Sequence, residues 1–297
     1  MKKPVFTGAG CAIVTPFTGK DLEKINYSLF ETLIEEQINN GTDAIIVCGT
    51  TGEKSTLADA ENNELIRAAV SAASKRVPVI AGTGSNDTQK AVKLSNEAEK
   101  LGVDGLLMVT PYYNKCSQQG LIDSFAYIER RVSSPVILYN VPSRTGVNIK
   151  PETYAALSEL PLINGIKEAN GDISAFAKTV ALCGSNLNYY TGNDDQITAF
   201  ISLGAVGVIS VLSNIVPAVT HKIAEYALKG DFKASAQLQT KYLDLCNALF
   251  CDVNPIPVKA ALELIGYNVG RGRLPLTELS EEKLNVLKQA MINHGII

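Results

Sequence analysis

The chain has 297 residues, of which 46% are hydrophobic and 19% are charged, a composition typical of a globular protein. Lys and Arg together number 27 and Asp and Glu number 30, which gives a formal net charge of −3. Because there is no basic excess to neutralise a phosphate backbone, nucleic-acid binding is not expected. With only two histidines, a histidine-based metal site or a His-dependent triad has almost no material, and we predict no metal.

The six cysteines are scattered, without a C-x-x-C pair, and the N-terminus is not followed by an apolar run of signal-peptide length. These features predict reduced thiols and a cytoplasmic location. Residues 196–221 contain no Asp, Glu, Lys or Arg, but Gly204, Gly207 and Pro217 interrupt them. A membrane span needs about 20 predominantly apolar residues in one helix. We therefore predict helix, strand and helix in a protein interior, and no membrane association.

Eight short apolar runs recur along the chain and are separated by segments with helical periodicity. The runs are 12–14, 44–47, 77–81, 105–109, 136–139, 163–166, 187–190 and 206–210. Because they are apolar throughout, they are typical of strands buried on both faces of a parallel sheet. Between them, stripes such as Phe30, Leu33 and Ile34 predict amphipathic helices. The eightfold alternation predicts an α/β fold, a (β/α)8 TIM barrel, rather than a doubly wound sheet.

The strand pattern stops after residue 230. Leu238, Tyr242 and Leu245 then begin a purely helical pattern that is longer than closing a barrel requires. We predict a catalytic barrel over residues 1–230 and a C-terminal helical domain over residues 231–297, a type of extension that often serves self-association.

Catalytic groups of TIM barrels lie at the C-terminal ends of the strands and in the loops after them. Here those positions hold hydroxyls, phenols, one guanidinium and one lysine, without a histidine, a paired carboxylate or a set of metal ligands. The segments are 49–53, 111–114, 139–146, 165–169 and 192–194. This inventory points to chemistry that a lysine and hydroxyl groups can perform.

Lys167 is the most informative of these residues, because it ends an otherwise apolar strand. Its side chain would point into the barrel mouth, where an amine can form a Schiff base with a ketone. The alternatives are a lysine whose stem covers apolar surface while its head reaches solvent, or a partner for Glu168. Position alone leaves these alternatives open.

Phenols and threonines accompany the lysine at the same end of the barrel. Imine formation needs proton transfer, which a hydrogen-bonded chain of Tyr139, a threonine and Tyr113 could provide where histidine is missing. Thr50 and Thr51, in a Gly-flanked turn, offer hydroxyls and backbone N–H groups to a carboxylate. Taken singly, these residues are also compatible with half-buried aromatics and a plain turn.

Arg144 lies on a short loop after a proline. Its fork of donors suits a substrate carboxylate. The alternative is a solvated surface charge.

Taken together, these residues resemble the pyruvate-dependent class I aldolases of the N-acetylneuraminate lyase family, over nearly the whole chain. Five spaced motifs in the same order make the resemblance specific, although each alone is weak. It runs from residues 10–17 to 254–259 and 273–276. The resemblance implies a lyase that needs no cofactor, because a covalent pyruvate imine on Lys167 supplies the electron sink.

The resemblance also implies roles for individual residues. Lys167 would carry the imine and Tyr139 would act as general acid and base, linked through Thr51 to Tyr113 of the neighbouring subunit. Thr50 and Thr51 would hold the pyruvate carboxylate. The implied substrate-binding residues are Thr50, Thr51, Arg144, Ile209, Gly192 and Asn193.

Arg144 would bind the carboxylate of the second substrate, and the backbone of Ile209 would face pyruvate. Asn193 departs from the usual Gly-Asp-Asp of this loop, which leaves its role open.

The implied reaction condenses pyruvate with L-aspartate 4-semialdehyde to 4-hydroxy-tetrahydrodipicolinate, in lysine and diaminopimelate biosynthesis. The alternative is an N-acetylneuraminate lyase or a 2-keto-3-deoxygluconate-type aldolase of the same family. The arginine of the 143–146 loop and the doubled Tyr112-Tyr113 favour the first reaction, since a sugar aldolase needs room and hydroxyl partners instead of an arginine. A non-enzymatic barrel that binds 2-oxo acids would have no reason to retain both the lysine and the phenol. The implied assembly is a homotetramer, and at minimum a dimer.

Some members of the family are inhibited by lysine, which binds at a subunit interface. The corresponding positions are Lys54, Ser55, Asp59, Asn62, Asn86, Lys90 and Tyr112. Lys54 and Lys90 would place positive charges where the ammonium groups of lysine should bind, and Asp59 would offset part of that repulsion. We therefore expect little or no inhibition by lysine.

Overall fold

The structure, a computed structural model, describes residues 2–297 and contains a closed barrel of eight parallel strands. The strands are β1 (Gly8–Ala12), β2 (Phe17–Thr18), β3 (Lys24–Ile25), β4 (Ala44–Val47), β5 (Val79–Gly82), β6 (Gly105–Val109), β7 (Val136–Asn140), β8 (Ile163–Glu168), β9 (Asn188–Thr191) and β10 (Gly207–Ser210). Strands β2 and β3 form a small antiparallel pair of their own. The barrel closes because β1 pairs with both β4 and β10. The predicted TIM barrel is confirmed.

Helices alternate with the barrel strands and continue after the last one. They are α1 (Tyr27–Asn39), α2 (Asp59–Ala73), α3 (Thr88–Lys100), α4 (Gln118–Glu129), α5 (Pro142–Thr145), α6 (Pro151–Ser158), α7 (Ile173–Cys183), α8 (Ile197–Ser202), α9 (Pro217–Leu228), α10 (Phe232–Lys241), α11 (Leu243–Ala248), α12 (Ile256–Leu264) and α13 (Glu281–Asn293). Several begin at polar caps, since the side chains of Asn26, Ser117 and Asp172 accept bonds from first-turn N–H groups. These caps supply acceptors for first-turn N–H groups that have no partner within the helix.

The first strand lies further toward the N-terminus than its apolar run predicted. The run covered residues 12–14, whereas β1 begins at Gly8. Small residues are required there, because a Cβ on Gly10 would lie 2.6 Å from Cδ1 of Ile46 and one on Gly207 would lie 2.2 Å from the carbonyl oxygen of Gly8. The other seven strands lie within two residues of their predicted bounds.

The uncharged stretch at 196–221 forms α8, β10 and the start of α9, as predicted. Among residues 2–297, no helix has the length and apolarity that crossing a bilayer requires. Only helices follow residue 230, which confirms the C-terminal helical extension. A domain boundary at 230 stays a prediction, since α10 packs against α8 and α9.

Candidate active site

Lys167 and Tyr139 are register partners on the neighbouring strands β8 and β7. Nζ of Lys167 lies 4.4 Å from the centre of the Tyr139 ring, and both residues are buried, at 6% and 7% exposure. Within residues 2–297, Lys167 makes no ion pair with Glu168, whose carboxylate bonds instead to Asn140, Tyr154 and Asn170. The amine therefore sits beside a phenol in the barrel mouth, without the carboxylate partner that one alternative required.

Glu168 lies on the opposite face of the strand from Lys167, because successive residues of a strand alternate. Its carboxylate accepts hydrogen bonds from Nδ2 of Asn140 at 2.9 Å and from the hydroxyl of Tyr154 at 3.0 Å. Asn140 is also its register partner, so a bonded side-chain pair directly follows the pair formed by Tyr139 and Lys167. Burial raises the pKa of Glu168 to about 7, although the donated bonds act in the opposite direction.

This carboxyl should make stability depend on pH. Its pKa in the folded chain lies above its ordinary value of 4.5, so the folded state binds the proton more tightly than the unfolded state. The stabilisation is complete below about pH 4.5 and is lost as the pH rises through 7. Between pH 5 and 8.5 we expect the free energy of unfolding to fall by up to about 3 kcal/mol from this group alone.

Urea unfolding at a series of pH values and one protein concentration measures this effect. The matched variant is Glu168→Gln, which cannot ionise and should flatten the pH dependence over this window. An unchanged slope in the variant would assign the pH dependence to other groups.

The threonine turn places its two hydroxyls in different surroundings. Thr50 is half-buried and lines a cavity of about 580 Å³, together with Tyr139 and Arg144. Thr51 is 2% exposed, and its Oγ1 accepts a hydrogen bond of 2.9 Å from Nδ2 of Asn254. The structure thus brings Thr50, Tyr139 and Arg144 to one cavity and turns Thr51 toward the C-terminal part of the chain.

Arg144 lies on the single helical turn α5, after Pro142. The side chain is exposed, and its Nη2 donates to the carbonyl oxygen of Asn254 at 3.2 Å. The backbone carbonyl of Asn254, whose side chain contacts Thr51, therefore holds the guanidinium at the rim of the cavity.

The loop after β9 holds Gly192 against the lysine. A Cβ at Gly192 would lie 2.9 Å from Cε of Lys167, so a side chain here would press on the stem of this lysine. Asn193 instead bonds to Gln196 and lines a second cavity of about 330 Å³. Asp194 is buried and accepts bonds from two backbone N–H groups; burial raises its pKa, and the neighbouring Lys167 acts in the opposite direction.

Ile209 and Tyr113 lie at opposite extremes of exposure. Ile209 on β10 is fully buried and packs in the same barrel-interior cluster as Tyr139. Tyr113 is 91% exposed and has a backbone φ of +68°, in the left-handed region that non-glycine residues seldom occupy. One chain does not bring the Tyr113 phenol to the buried Thr51 hydroxyl.

A buried ion pair lies behind the threonine turn and was not predicted from the sequence. Nζ of Lys259 lies 2.8 Å from Oε1 of Glu53, with side-chain exposures of 2% and 0%. The same ammonium donates to the carbonyl oxygens of Thr15 and Arg271. The available signal was a lysine within an apolar helix at the end of the 254–259 motif, but nothing in the sequence paired it with Glu53.

The groove around Lys54 forms another part of the 580 Å³ cavity. The ammonium of Lys54 donates to the carbonyl oxygen of Gly84, and burial lowers the pKa of Lys54 to about 8, so it is mostly charged at pH 7. Nζ of Lys90 lies 3.3 Å from Oδ1 of Asp59, whose carboxylate neutralises part of the Lys90 charge. Positive charge remains in this groove.

Comparison with known proteins places the chain among one group of enzymes. A curated relative, 4-hydroxy-tetrahydrodipicolinate synthase of Caldicellulosiruptor saccharolyticus, is 52% identical over 99% of this chain and 98% of its own length. The crystal structure of dihydrodipicolinate synthase from Thermotoga maritima superposes with a TM-score of 0.96 at 40% identity, covering 99% of this chain and 100% of that one. A structure described as a monomeric dihydrodipicolinate synthase variant has a TM-score of 0.96 at 41% identity, covering 99% and 98%.

A family match gives the same result independently. Residues 5–294 match the dihydrodipicolinate synthetase family. This range includes the strand ends and the C-terminal motif described above. The chain is therefore a member of the dihydrodipicolinate synthetase family.

Proposed function

We propose that this protein condenses pyruvate with L-aspartate 4-semialdehyde to give 4-hydroxy-tetrahydrodipicolinate, a step of lysine and diaminopimelate biosynthesis. The observation that carries the proposal is the buried amine of Lys167, which stands 4.4 Å from the Tyr139 ring and makes no ion pair with the neighbouring Glu168. The family membership and relatives of about 50% identity support the choice of reaction.

The first half of the reaction uses the lysine and the phenol. Lys167 adds to the keto carbon of pyruvate, and loss of water gives an imine. Tyr139 gives its proton to the departing water during imine formation, and its phenolate then takes a proton from the methyl carbon, which leaves an enamine. The iminium accepts the electron pair, so no metal or organic cofactor is needed.

The second half builds the ring. The enamine carbon attacks the aldehyde carbon of the semialdehyde, and the new alkoxide takes a proton from the Tyr139 hydroxyl. The amino group of the former semialdehyde then attacks the imine carbon and passes one proton to the lysine nitrogen, so that Lys167 leaves as a free amine. The ring nitrogen returns its other proton to Tyr139. Thr50 and Thr51 hold the pyruvate carboxylate, Gly192 leaves room beside the amine of Lys167, and the backbone of Ile209 faces pyruvate. Asn193 is bonded to Gln196 at a second cavity, so we assign it no substrate contact.

A sugar-acid aldolase is the second candidate within the same fold. Turnover with pyruvate plus aspartate semialdehyde should exceed turnover with N-acetylneuraminate or 2-keto-3-deoxygluconate by orders of magnitude. Purified protein and a coupled assay decide between them. Cleavage of a sugar acid without condensation of the semialdehyde would overturn the proposal.

Replacing Arg144 should affect the second substrate more than the first. Arg144→Ala removes a charge-assisted bond to the semialdehyde carboxylate, which costs roughly 1.5–3 kcal/mol, or about 10–150-fold. The measurement is KM for each substrate with the other saturating, and Arg144→Lys provides the control that retains charge without the fork. An equal rise for pyruvate would remove Arg144 from this role.

Inhibition by lysine should be weak. A second ammonium entering the groove meets the charge of Lys54, and one like-charge contact at ~4 Å costs on the order of 4 kcal/mol before relaxation. In a coupled assay at pH 7, we expect 1 mM lysine to inhibit the protein by less than half. This concentration is roughly three orders of magnitude above the Kd of a micromolar site. Lys54→Gln should make the protein more sensitive. Sub-millimolar inhibition of the unaltered protein would contradict this.

We further propose a cytoplasmic homotetramer, with a dimer as the smallest complete unit. The exposed phenol of Tyr113 supports at least a dimer, because it lies on the surface while its partner Thr51 is buried. A monomeric variant among similar structures makes the assembly worth measuring directly, by sedimentation across a range of concentrations.

A further inference from the structure

Asn254 lies outside the barrel strands and contacts two residues that were assigned to the site, Thr51 and Arg144. Its side-chain Nδ2 lies 2.9 Å from Oγ1 of Thr51, and its backbone carbonyl oxygen accepts from Arg144 at 3.2 Å. Asn254 and Thr51 are 203 residues apart in sequence, and Asn254 is 6% exposed. A contact this remote and this buried exists only because the chain returns from the C-terminal helices to the barrel mouth.

We propose that Asn254 is a positioning residue for the condensation proposed above, on which this inference rests. Its amide N–H holds Oγ1 of Thr51 as an acceptor and so directs the single Thr51 hydroxyl proton toward the tyrosines.

The direction follows from the inventory of donors and acceptors. A threonine hydroxyl has one proton to donate and two lone pairs, whereas an amide nitrogen donates and does not accept. Thr51 therefore cannot donate to Nδ2 of Asn254, and its proton remains available to a phenolic oxygen. Thr51 can pass a proton between Tyr139 and Tyr113 only if its own proton points along that line.

The other end of the amide supports a functional role. Among residues 2–297, Oδ1 of Asn254 is buried and has no hydrogen-bond partner. Most buried polar side-chain atoms have a hydrogen-bond partner in the protein or in ordered water. The Nδ2 end of the Asn254 side chain does have a partner within the chain, and that partner is Thr51.

The segment that carries Asn254 is itself anchored to the same turn as Thr51. Lys259, on the first turn of α12, forms the buried pair with Glu53, two residues after Thr51. The backbone N–H of Arg273 donates to the second oxygen of Glu53 at 2.9 Å. Two further contacts thus fix the distance between the C-terminal region and the turn, which lets one amide set the orientation of one hydroxyl.

A double-mutant cycle tests the proposal. Asn254→Ala should lower kcat by about 10- to 100-fold, the loss expected when a proton-transfer group is misplaced, and should change KM for pyruvate little. In a Thr51→Val background, the same substitution should lower kcat by less than about twofold, because Asn254 acts through the hydroxyl that is already gone. Equal losses in both backgrounds would overturn the proposal.

Asn254→Asp separates the hydrogen-bond direction from the shape of the side chain. An ionised carboxylate accepts the Thr51 proton and withdraws it from the tyrosines, so this variant should be less active than Asn254→Ala at pH 8. The difference should shrink toward pH 6 as the carboxyl takes up a proton and donates again. If Asn254→Asp equals the unaltered protein at pH 8, then Thr51 donates to residue 254 and the proposal is wrong.

Two controls distinguish a failure of this inference from other causes of lost activity. Asn188→Ala removes another buried amide at the opposite end of the barrel, where Nδ2 donates to the carbonyl oxygen of Asn164, and should leave kcat within about twofold. Borohydride trapping of pyruvate should label every Asn254 variant, which shows that the fold and the lysine are intact. A failure to label the unaltered protein would instead remove the proposed function, and it is thereby distinguished from a failure of this inference.

Discussion

Replacing Lys167 by alanine should lower turnover by on the order of 10⁴-fold or more, because the imine cannot form and the remaining groups have no covalent intermediate to act on. Sodium borohydride with pyruvate should attach one three-carbon adduct to the unaltered chain, on the peptide that contains Lys167. Mass spectrometry of the digested protein locates the adduct.

Lys54 is the rival amine, since burial lowers its pKa to about 8 and it lines the same cavity as Tyr139. Lys54→Gln should therefore keep both the label and the activity, whereas Lys167→Ala should lose both. An adduct on the peptide that contains Lys54, or on any other lysine, would move the reaction away from β8 and remove the mechanism with it.

Phenylalanine in place of Tyr113 should lower activity by roughly 10²-fold or more, the usual contribution of a general acid or base. The phenol is 91% exposed on one chain, so its effect should arise in the site of the neighbouring subunit. Mixing inactive Lys167→Ala and Tyr113→Phe chains under subunit exchange should then restore activity. In a hybrid dimer the site that keeps Lys167 receives an unaltered Tyr113, and equal mixing should recover about a quarter of full activity for an isologous pair.

A second mixture provides the control. Lys167 and Tyr139 lie in register on neighbouring strands of one chain, so Lys167→Ala and Tyr139→Phe disable the same site. Their hybrid dimers contain no intact site, and mixing them should restore nothing. Recovery in both mixtures, or in neither despite demonstrated exchange, would count against a relay that crosses the interface.

The sequence by itself was sufficient to predict the barrel, because a strand that is buried on both faces is apolar at consecutive positions. Runs such as 44–47 and 105–109 are apolar throughout, and they coincide with β4 and β6. Lys167 was detectable for the same reason, as a charged residue at the end of such a run. The spaced motifs then added the family. The start of the first strand was not predicted from the sequence. Gly8, Ala9 and Gly10 are small to fit the closed barrel, so they do not form a run of large apolar residues.

Contacts between distant parts of the chain were decided only by the tertiary structure. The bond from Asn254 to Thr51, the pair formed by Lys259 and Glu53, and the burial that raises the pKa of Glu168 depend on how the barrel closes and where the C-terminal helices return. Periodicity reports which face of an element is buried, but it does not report what lies across from that face. For this protein the sequence alone therefore determined the fold and singled out Lys167 as the candidate lysine, whereas tertiary packing decided which polar groups contact the residues around it.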